Sequence, residues 1–598
     1  DGGRSVLLSV LKNGATSTLA IVEGIRTKLA ELKASLPPNL EVAPINDQSI
    51  FVRAAISAVA VEGVIAAALT SVMILLFLGS WRPTLIIAIS IPLSVMGAVL
   101  ALAAFGETLN IMTLGGLALA VGILVDDATV TIENINWHLE QGKDVETAIM
   151  DGARQIVVPA FVSLLCICIV FVPMFFLPGV AGFLFVPMAL SVVFAMIASF
   201  VLSRTLVPTM AMYLLKPHGA SDADRHLAGT ADSRNPFIRF QRWFEHRFER
   251  VRNGYLGLLH LALDTRRTFI LGFLAIVVLS FGLMPFLGSN FFPSVDSGQI
   301  AMHVRVPSGS RIEDTAARLD RIGHAVRDII PADELGLITD NIGLPASSIN
   351  TAYNNSGTIG PQDGDVMITL KEGHRPTEKI VAELRRKLAQ RFPGTTFSFL
   401  PADITSQILN FGAPAPIDVQ IAGKDGDANR AYAQELLARI RKIPGLADAR
   451  IQQPARSPQI SVDVDRSRIG QYGLTERDVT SSLSGSLAGS GQTAPVYFVD
   501  PTTGISYPVV AQTPEYLVSS INELANIPVS GAASASPQPL GGLAEIKQTS
   551  TVPVVSHYNL APVINVYGTT QGRDLGAVAG DIQRVIKSME QKQPKGAT

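Results

Sequence analysis

The sequence predicts a membrane-embedded bundle of α-helices joined to soluble domains of the α+β class. The mean hydropathy of the 598-residue chain is +0.33 and only 16% of its residues are charged, which is too apolar for an ordinary soluble protein. Six apolar runs are each long enough to cross a bilayer. The second half of the chain, in contrast, alternates strand-like and helix-like patterns.

The charge balance and the scarce reactive side chains exclude several classes of function. A net charge of −2 gives no reason to expect a nucleic-acid partner. Cys166 and Cys168 lie two residues apart in one apolar run, so they face different directions on a helix and are not expected to pair. The histidines show no spacing of metal ligands or of a catalytic triad, so the sequence predicts neither an enzyme nor a bound metal or other cofactor.

The six apolar runs are the predicted membrane spans. They lie at residues 55–78, 84–105, 111–130, 156–177, 183–206 and 269–287. The short links at 106–110 and 178–182 carry no lysine or arginine, whereas residues 216–267 carry ten. Because basic loops stay on the cytoplasmic side, we expect the basic linker to be cytoplasmic. Residues 1–53 and the region after 287 then lie on the outer side.

Within the basic linker, residues 235–263 mix bulky apolar side chains with arginines. Two interpretations are open for this segment. It is either an amphipathic helix that lies along the membrane surface or a solvated linker helix.

The outer region after the last run predicts two soluble subdomains. The first has the pattern of a split βαβ, ferredoxin-like unit, with strands at 298–306, 365–370 and 395–400 and helices at 312–330 and 376–392. The second has strands at 417–422 and 459–464 and a helix at 429–443. Between about residues 482 and 550, a segment rich in Gly, Ser, Thr and Pro predicts an inserted, hairpin-like excursion.

Two adjacent carboxylates, Asp126 and Asp127, lie in the third apolar run. Each ionised carboxylate inside a membrane costs at least about 2.5–3.5 kcal/mol, and stability does not require that cost, because alanine would pack as well. Burial and mutual repulsion oppose ionisation of the pair, so such a group can load and release a proton. The alternative is that the span ends early and the pair is interfacial. Small residues upstream, such as Gly116, would let a neighbouring helix approach closely.

A basic residue, Arg204, lies late in the fifth apolar run. We expect its long side chain to extend along the helix to the cytoplasmic face. The alternative is that it pairs with Asp126 or Asp127 across the bundle and helps to set their affinity for protons.

Three stretches of the sequence carry a resemblance to a known family. They are Gly-Ile-Leu-Val-Asp-Asp-Ala-Thr-Val-Thr-Ile-Glu-Asn at 122–134, Pro-Met at 173–174 and Phe-Phe-Pro-Ser-Val-Asp-Ser-Gly at 291–298. These motifs occur in the order of five spans, a basic linker, one span and soluble domains. The chain thereby resembles the permease of resistance–nodulation–division (RND) efflux transporters, in their hydrophobe/amphiphile or acriflavin-resistance-like branch.

The resemblance implies an architecture of two six-span halves, each with a large periplasmic porter domain, assembled as a homotrimer or with a related protomer. This chain is then expected to be an internal piece that lacks the first span, the first porter subdomain and the eighth to twelfth spans. On that pattern, residues 1–50 end the first porter region, 51–215 hold five spans, 216–267 form the cytoplasmic linker, 268–290 hold the family's seventh span, 291–412 form a porter subdomain, and 413–598 form a second one with a docking insertion at about 482–550.

The resemblance also implies a mechanism. In the family the paired aspartates of the fourth span relay protons, so the implied relay here is Asp126 and Asp127, with Arg204 as a possible modulator. The implied function is proton-driven efflux of hydrophobic or amphiphilic small molecules by antiport across a Gram-negative inner membrane. The implied partners are a periplasmic adaptor and an outer-membrane channel. Such a protein is a secondary transporter and not an enzyme.

The resemblance suggests a substrate path as well. Residues 343–360 occupy the place of the family's switch loop, and Leu344 and Tyr353 are the loop's candidates for substrate contact. Phe397 and Phe399 match aromatic positions of the entry cleft, although alternating strand residues could equally belong to the core. The loop is polar where multidrug pumps carry phenylalanine, which weakens the prediction of a broad aromatic pocket.

Rival functions find less support in the sequence. An ATP-driven exporter needs a Gly-x-x-x-x-Gly-Lys-Ser/Thr loop, and Gly423-Lys424 is followed by Asp425. A heavy-metal exporter of the same superfamily usually shows a single aspartate in the motif. The methionines outside the predicted spans form no evident cluster for a soft metal. Export of heavy-metal ions or lipids, or a role in protein translocation, stays open as an alternative.

Overall fold

The computed structural model describes the chain from residue 3 to residue 598 with several gaps. The gaps are residues 4, 9, 11, 12, 14, 15, 34, 35, 38, 39, 41, 43, 45, 46, 48, 79, 80, 216–235, 285, 286, 289, 291–295, 297, 346–355, 403–405, 408, 409, 411, 492, 534 and 535. The chain divides into two compact units, Gly3–Phe286 and Leu287–Thr598.

The first unit is helical throughout its described part. Its helices are α1 (Thr18–Leu32), α2 (Ser49–Leu78), α3 (Trp81–Ala104), α4 (Ile111–Glu140), α5 (Val145–Phe171), α6 (Gly179–Leu214), α7 (Pro236–Asp264) and α8 (Arg266–Gly282). Four segments are long and apolar enough to cross a membrane: Trp81–Ala104, Ile111–Glu140, Val145–Phe176 and Ala181–Leu214. They coincide with the second to fifth predicted runs.

The other two predicted spans also fall on helices. The first run lies within α2, and the sixth run begins in α8. With 17 residues, α8 is shorter than the roughly 20 residues that a span needs. Six spans therefore remain a prediction, of which the described helices support four.

Helix α4 begins at a well-defined cap. The side chain of Asn110 accepts hydrogen bonds of 2.9 Å from the backbone N–H groups of Met112 and Thr113. In return, the Thr113 hydroxyl accepts from the Asn110 N–H at 2.8 Å, so the cap satisfies three backbone donors. The helix then runs for 30 residues, which carries it past the end of the apolar run predicted at residue 130.

Helices α4, α5 and α6 pack with almost no space between them. A side chain at Gly116 would collide with Ser191 and with the backbone of Met188 on α6. Gly152 on α5 lies in the same way against the backbone of Ile135 on α4. Small residues therefore let these helices approach backbone to backbone. The glycines upstream of the aspartates predicted such a close approach to α4.

Helix α7 covers the segment predicted as amphipathic. Its aromatic side chains Phe240, Trp243 and Tyr255 are exposed, and Arg247 stacks over the Trp243 ring at 5.9 Å from the ring centroid. An exposed apolar face fits a membrane surface, while the helical conformation is common to both interpretations. The choice between them stays a prediction.

The second unit begins with a four-stranded sheet and two helices. In chain order they are β1 (Gln299–Arg305), α9 (Ile312–Ile329), β2 (Leu335–Ile342), β3 (Asp363–Leu370), α10 (Thr377–Arg391) and β4 (Thr396–Leu400). The sheet is antiparallel with the order β2-β3-β1-β4, which is the arrangement of a split βαβ unit. One face of it packs against both helices to form a hydrophobic core.

The remaining elements of the second unit follow in the chain. They are β5 (Ile417–Ala422), α11 (Gly426–Ile440), β6 (Leu446–Ile451), β7 (Ser457–Val464), α12 (Arg466–Gln471), α13 (Glu476–Leu487), β8 (Val496–Val499), β9 (Ser506–Val509), α14 (Ile521–Ala525), β10 (Pro528–Val529), β11 (Gln538–Pro539), α15 (Leu540–Leu543), β12 (Ala544–Thr551), β13 (Ser556–Tyr558), β14 (Ala561–Thr570) and α16 (Leu575–Ser588). Strand β14 pairs with β5, β6 and β13, and helices α11 and α16 pack on that sheet.

The predicted insertion starts earlier than residue 482. Strand β7, which the sequence placed in the second sheet, pairs instead with β12 along its whole length. Between these strands lie the β8–β9 hairpin, four helices and a separate hydrophobic core that includes Val479, Leu524 and Leu540. The segment from β7 to β12 is therefore a small folded body rather than a hairpin alone.

Candidate functional site

Helix α4 carries Asp126 and Asp127 near its middle, with the fully buried Leu124 and Ala128 on either side. Adjacent residues of an α-helix point about 100° apart, so the two carboxylates face different surroundings. Asp126 is exposed on this chain, whereas Asp127 is half-buried. Helix α4 itself continues to Glu140, whereas the position of the membrane boundary along it stays a prediction.

The carboxylate of Asp127 faces helix α6. Its Oδ2 is buried and has no hydrogen-bond partner among the described residues. The Ser199 hydroxyl lies close enough to interact with the carboxylate, and the charge of Arg204 acts on it. In the described bundle, the Ser199 hydroxyl and the charges of Arg204 and Asp126 therefore act on the Asp127 carboxylate.

The guanidinium of Arg204 lies inside the bundle. Its Nη1 donates to the Thr131 hydroxyl at 3.3 Å, and that hydroxyl donates to the Asp127 carbonyl oxygen at 2.7 Å. The guanidinium carbon lies 5.5 Å from the centroid of the Phe200 ring, and Nε and Nη2 are buried with no partner in the described part of the chain. This position favours an arginine that faces Asp127 over one that extends to the cytoplasmic face.

The candidates for a substrate path are not brought together in the described chain. Leu344 is 50% exposed, and Tyr353 lies outside the described residues. Phe397 and Phe399 are each 8% exposed and belong to the core between the sheet and helices α9 and α10. Of the two interpretations that the sequence left open for these phenylalanines, their position favours the core.

The opposite face of the same sheet carries a charged cluster that sequence reasoning missed. His303 and Arg305 of β1 lie beside Asp363 and Asp365 of β3. Arg305 Nε donates to Asp363 Oδ1 at 2.5 Å, and His303 Nδ1 lies 2.7 Å from Asp365 Oδ1. The signal was the alternation of His303 and Arg305 with Met302 and Val304, which is typical of a strand with one polar face.

The opposite charges in this cluster stabilise each other's ionised forms. Burial of His303 opposes its charged form, but the Asp363 carboxylate, 3.4 Å from Nε2, and the hydrogen bond to Asp365 outweigh burial and raise its pKa above the ordinary value. Burial would also raise the pKa of Asp363, yet the nearby His303 ring and the hydrogen bond from Arg305 hold it below the usual range. Each of these two shifts favours the charged form of its group, so the imidazolium and the carboxylate stabilise each other.

Arginines connect this sheet to the β5–β14 sheet. Arg305 Nη1 donates to the Gln452 carbonyl oxygen at 2.8 Å. Arg385 holds Asp448 with two hydrogen bonds of 2.7 Å each. Burial lowers the pKa of the nearby Arg450 to about 10, so this residue stays a cation at neutral pH. The two subdomains are thus joined by charge-assisted hydrogen bonds as well as by packing.

The His303 cluster predicts a pH dependence of stability. A histidine whose pKa is raised by folding contributes stability fully below its unfolded pKa of about 6.5 and loses it as the pH rises through the folded-state value. We expect the thermal unfolding midpoint to fall over that range, and His303→Gln to remove this dependence. His324→Gln, on the exposed face of α9, is the matched control and should leave it unchanged. An identical pH dependence in His303→Gln and the wild type would contradict the assignment.

Metal binding is not indicated by the described residues. Among them, no group of three or more His, Cys, Asp and Glu side chains is arranged to hold a metal ion.

Comparison with known proteins places these features in a family. The family model described as "AcrB/AcrD/AcrF family" matches residues 1–598, which is the whole chain. The chain belongs to the AcrB/AcrD/AcrF family. The RND efflux permease family predicted from the motif around Asp126 and Asp127 is thereby confirmed.

The relatives within this family include proteins named for different substrates. The chain is 28% identical to the nickel-cobalt-cadmium resistance protein NccA of Alcaligenes xylosoxydans xylosoxydans and 27% identical to the nickel and cobalt resistance protein CnrA of Cupriavidus metallidurans, in each case over 100% of the chain. It is 26% identical to the multidrug resistance protein MdtC of Yersinia pestis over 98% of the chain. These identities are too similar to choose between metal and drug substrates, so the preference for the hydrophobe/amphiphile branch stays a prediction.

A solved structure shares the fold. The crystal structure of a heavy metal efflux pump matches 96% of this chain with a TM-score of 0.76 at 23% sequence identity. The chain covers 54% of that structure and 54% of each of the three relatives above. It thus spans about half the length of the AcrB/AcrD/AcrF family members that it matches.

Proposed function

We propose that this chain is the proton-coupled part of an efflux permease that works by proton/substrate antiport. The observation that carries the proposal is Asp127, a half-buried carboxylate within an apolar bundle that faces Ser199 and Arg204. A proton taken up at this carboxylate removes its charge, and the attraction between Asp127 and the cation ends. The loss of that attraction changes the forces between α4 and α6, which is how proton binding can alter helix packing.

Arg204 is the proposed modulator of this step. Its Nε and Nη2 lie within the bundle, and its charge reaches Asp127 although no ion pair within 4 Å joins the two among the described residues. The cation stabilises the ionised carboxylate and so favours release of the proton. Asp126, exposed on this chain, is the second member of the proposed relay.

We propose that the cargo is hydrophobic or amphiphilic small molecules, carried across a Gram-negative inner membrane with the large domains in the periplasm. The paired aspartates support this branch of the family, and the relative named for multidrug resistance agrees with it. The proposed assembly is a trimer with a periplasmic adaptor and an outer-membrane channel. Leu344 and Tyr353 remain the proposed contacts of substrate in the loop at residues 343–360.

Heavy-metal export is the second candidate function. It is favoured by the two relatives named for nickel and cobalt resistance and by the structure of a heavy metal efflux pump. The described residues offer no metal-binding cluster, so this alternative rests on the relatives alone.

Export by the polypeptide that the complete gene encodes tests the two candidates. It would be expressed in cells that lack their own pumps, and efflux of dyes, bile salts, nickel and cobalt would be measured with an empty vector as the control. We expect dyes or bile salts to be exported. Export of the metal ions alone would overturn the proposed cargo, and no export of any of them would count against the proposed function itself.

A further inference from the structure

A stripe of polar residues continues from Asp127 toward the cytoplasmic end of helix α4. Thr131, Asn134 and His138 follow Asp127 at intervals of four, three and four residues. Because an α-helix has 3.6 residues per turn, these intervals place all four side chains on one face. Three turns of the helix thus carry a polar side chain on the same side as the proposed proton-binding carboxylate.

The C-terminal half of this stripe, Asn134 and His138, makes hydrogen bonds with helix α5. Asn134 Nδ2 donates to the Gly152 carbonyl oxygen at 2.8 Å and to Gln155 Oε1 at 3.3 Å. His138 Nε2 lies 3.0 Å from the same Gln155 Oε1. His138 is 6% exposed, whereas Gln155 is exposed, so one residue separates the buried ring from the surface of this chain.

These contacts determine which ring nitrogen of His138 carries the proton in the neutral form. A backbone carbonyl can only accept, so the Asn134 amide group that faces Gly152 must be the donor. Gln155 Oε1 then accepts from Asn134, and it can only accept from His138 Nε2 as well. The neutral ring is therefore protonated at Nε2, and Nδ1 carries a free lone pair.

That Nδ1 atom is buried and has no hydrogen-bond partner among the described residues. An unpaired polar atom in a buried position costs free energy, which an apolar side chain would avoid. The next residue, Leu139, belongs to a hydrophobic core that includes Ile87 of α3, Ile135 of α4 and Val207 of α6. Packing alone does not explain a histidine at this position.

The charged groups near His138 come from α5 and the turn before it. The charge of His138 acts on Asp151, which is paired with Lys143 at 2.6 Å and also lies near Arg154. From α4 itself, the Trp137 ring meets the imidazole edge-on at 4.8 Å between centroids.

We propose that His138 is the proton-release residue at the cytoplasmic end of the relay, with Nδ1 as the atom that takes up the proton. A proton that leaves Asp127 passes by way of water along the stripe to Nδ1, which gives an imidazolium held by Gln155 through Nε2–H. The imidazolium then gives the Nδ1 proton to cytoplasmic water and returns to the neutral form that is protonated at Nε2. Each cycle moves one proton and leaves the ring unchanged.

This inference rests on the proposed antiport function, and its test separates the two. The complete protein would be purified and reconstituted in liposomes that contain a pH-sensitive dye, and proton flux would be driven by an imposed pH gradient in the presence of an exported dye. We expect His138→Gln to lower proton flux by at least about tenfold while KM for the exported dye stays unchanged. The dependence of flux on cytoplasmic pH should disappear as well. His260→Gln, an exposed histidine on α7, is the matched control and should behave as the wild type.

Gln155→Leu supplies a second variant, because it removes the acceptor that fixes the ring but leaves a titratable histidine. We expect it to lower flux less than His138→Gln and to shift the pH dependence rather than abolish it. An unchanged flux and pH profile in His138→Gln, while Asp127→Asn blocks flux, would overturn the release role and leave the relay intact. A lower flux with an unchanged pH profile would assign His138 a structural role. If Asp127→Asn does not affect flux, the proposed antiport fails first.

Discussion

Asp127→Asn in the complete protein should reduce export to the level of cells without the pump. Asparagine has nearly the same shape and keeps a polar group opposite Ser199 and Arg204, but it cannot gain or lose a proton. If proton binding at this carboxylate drives the cycle, the variant has no coupled step, and we expect a loss of at least about a hundredfold in export rate. The measurement is dye efflux from energised cells at matched expression.

Two comparisons make this result specific. Glu140→Gln neutralises an exposed carboxylate at the end of the same helix and should export as the wild type does. Asp126→Asn neutralises the exposed neighbour and tests whether both aspartates are needed. An Asp127→Asn variant that exports at the wild-type rate would remove the proton relay from the proposal and leave the mechanism open.

Asp363→Asn should cause a large loss of stability in the second unit. Asp363 has no exposed surface, and it compensates Arg305 at 2.5 Å and His303 at 3.4 Å. Without its charge, the guanidinium of Arg305 and the His303 ring lose the carboxylate that compensates them, and breaking a buried pair in this way costs about 3–5 kcal/mol. The cost should appear as faster hydrogen exchange of the amides in β1 and β3, where the opening free energy falls by that amount.

The matched control for this variant lies in the same subdomain. Asp328 pairs with Arg391 at 2.8 Å, and both side chains are about half exposed. Water and salt screen such a pair, so Asp328→Asn should change stability by less than about 1 kcal/mol. If the two variants gave similar exchange rates, the charged cluster would not be the stabilising feature inferred from its burial.

The sequence predicted the parts of this fold that depend on local pattern. The apolar runs predicted helices α3 to α6, because a span must be apolar along its whole length, and strand β5 lies at the predicted residues 417–422. Strand β2 was missed, since Gly336, Asp340 and Asn341 are poor strand formers and the strand lies at the edge of its sheet. Pairing of β7 with β12 was also missed, because partners about 90 residues apart leave no local signal.

The same distinction applies to the candidate site. Asp126 and Asp127 were predictable, since adjacent carboxylates in an apolar run are costly and are seldom found there without a function. The surroundings of Arg204 were not, because the direction of a long side chain depends on which helix packs beside it. The cluster of His303 with Asp363 depends on the pairing of two strands about 60 residues apart, which only the fold brings together.

The glycine contact between α4 and α6 has a mechanical consequence. With Ser191 and Met188 against Gly116, a slide of α4 along α6 would push larger side chains into a space that admits only hydrogen, so the contact favours a joint tilt of the two helices over a slide. A joint tilt of this kind produces its largest displacement at the ends of the helices. The 36 residues of α6 span about 54 Å at 1.5 Å per residue, so a tilt of about 2° displaces one end by about 2 Å relative to the other. A change of one charge at mid-helix can therefore produce its largest displacement at the two membrane surfaces, far from the carboxylate itself.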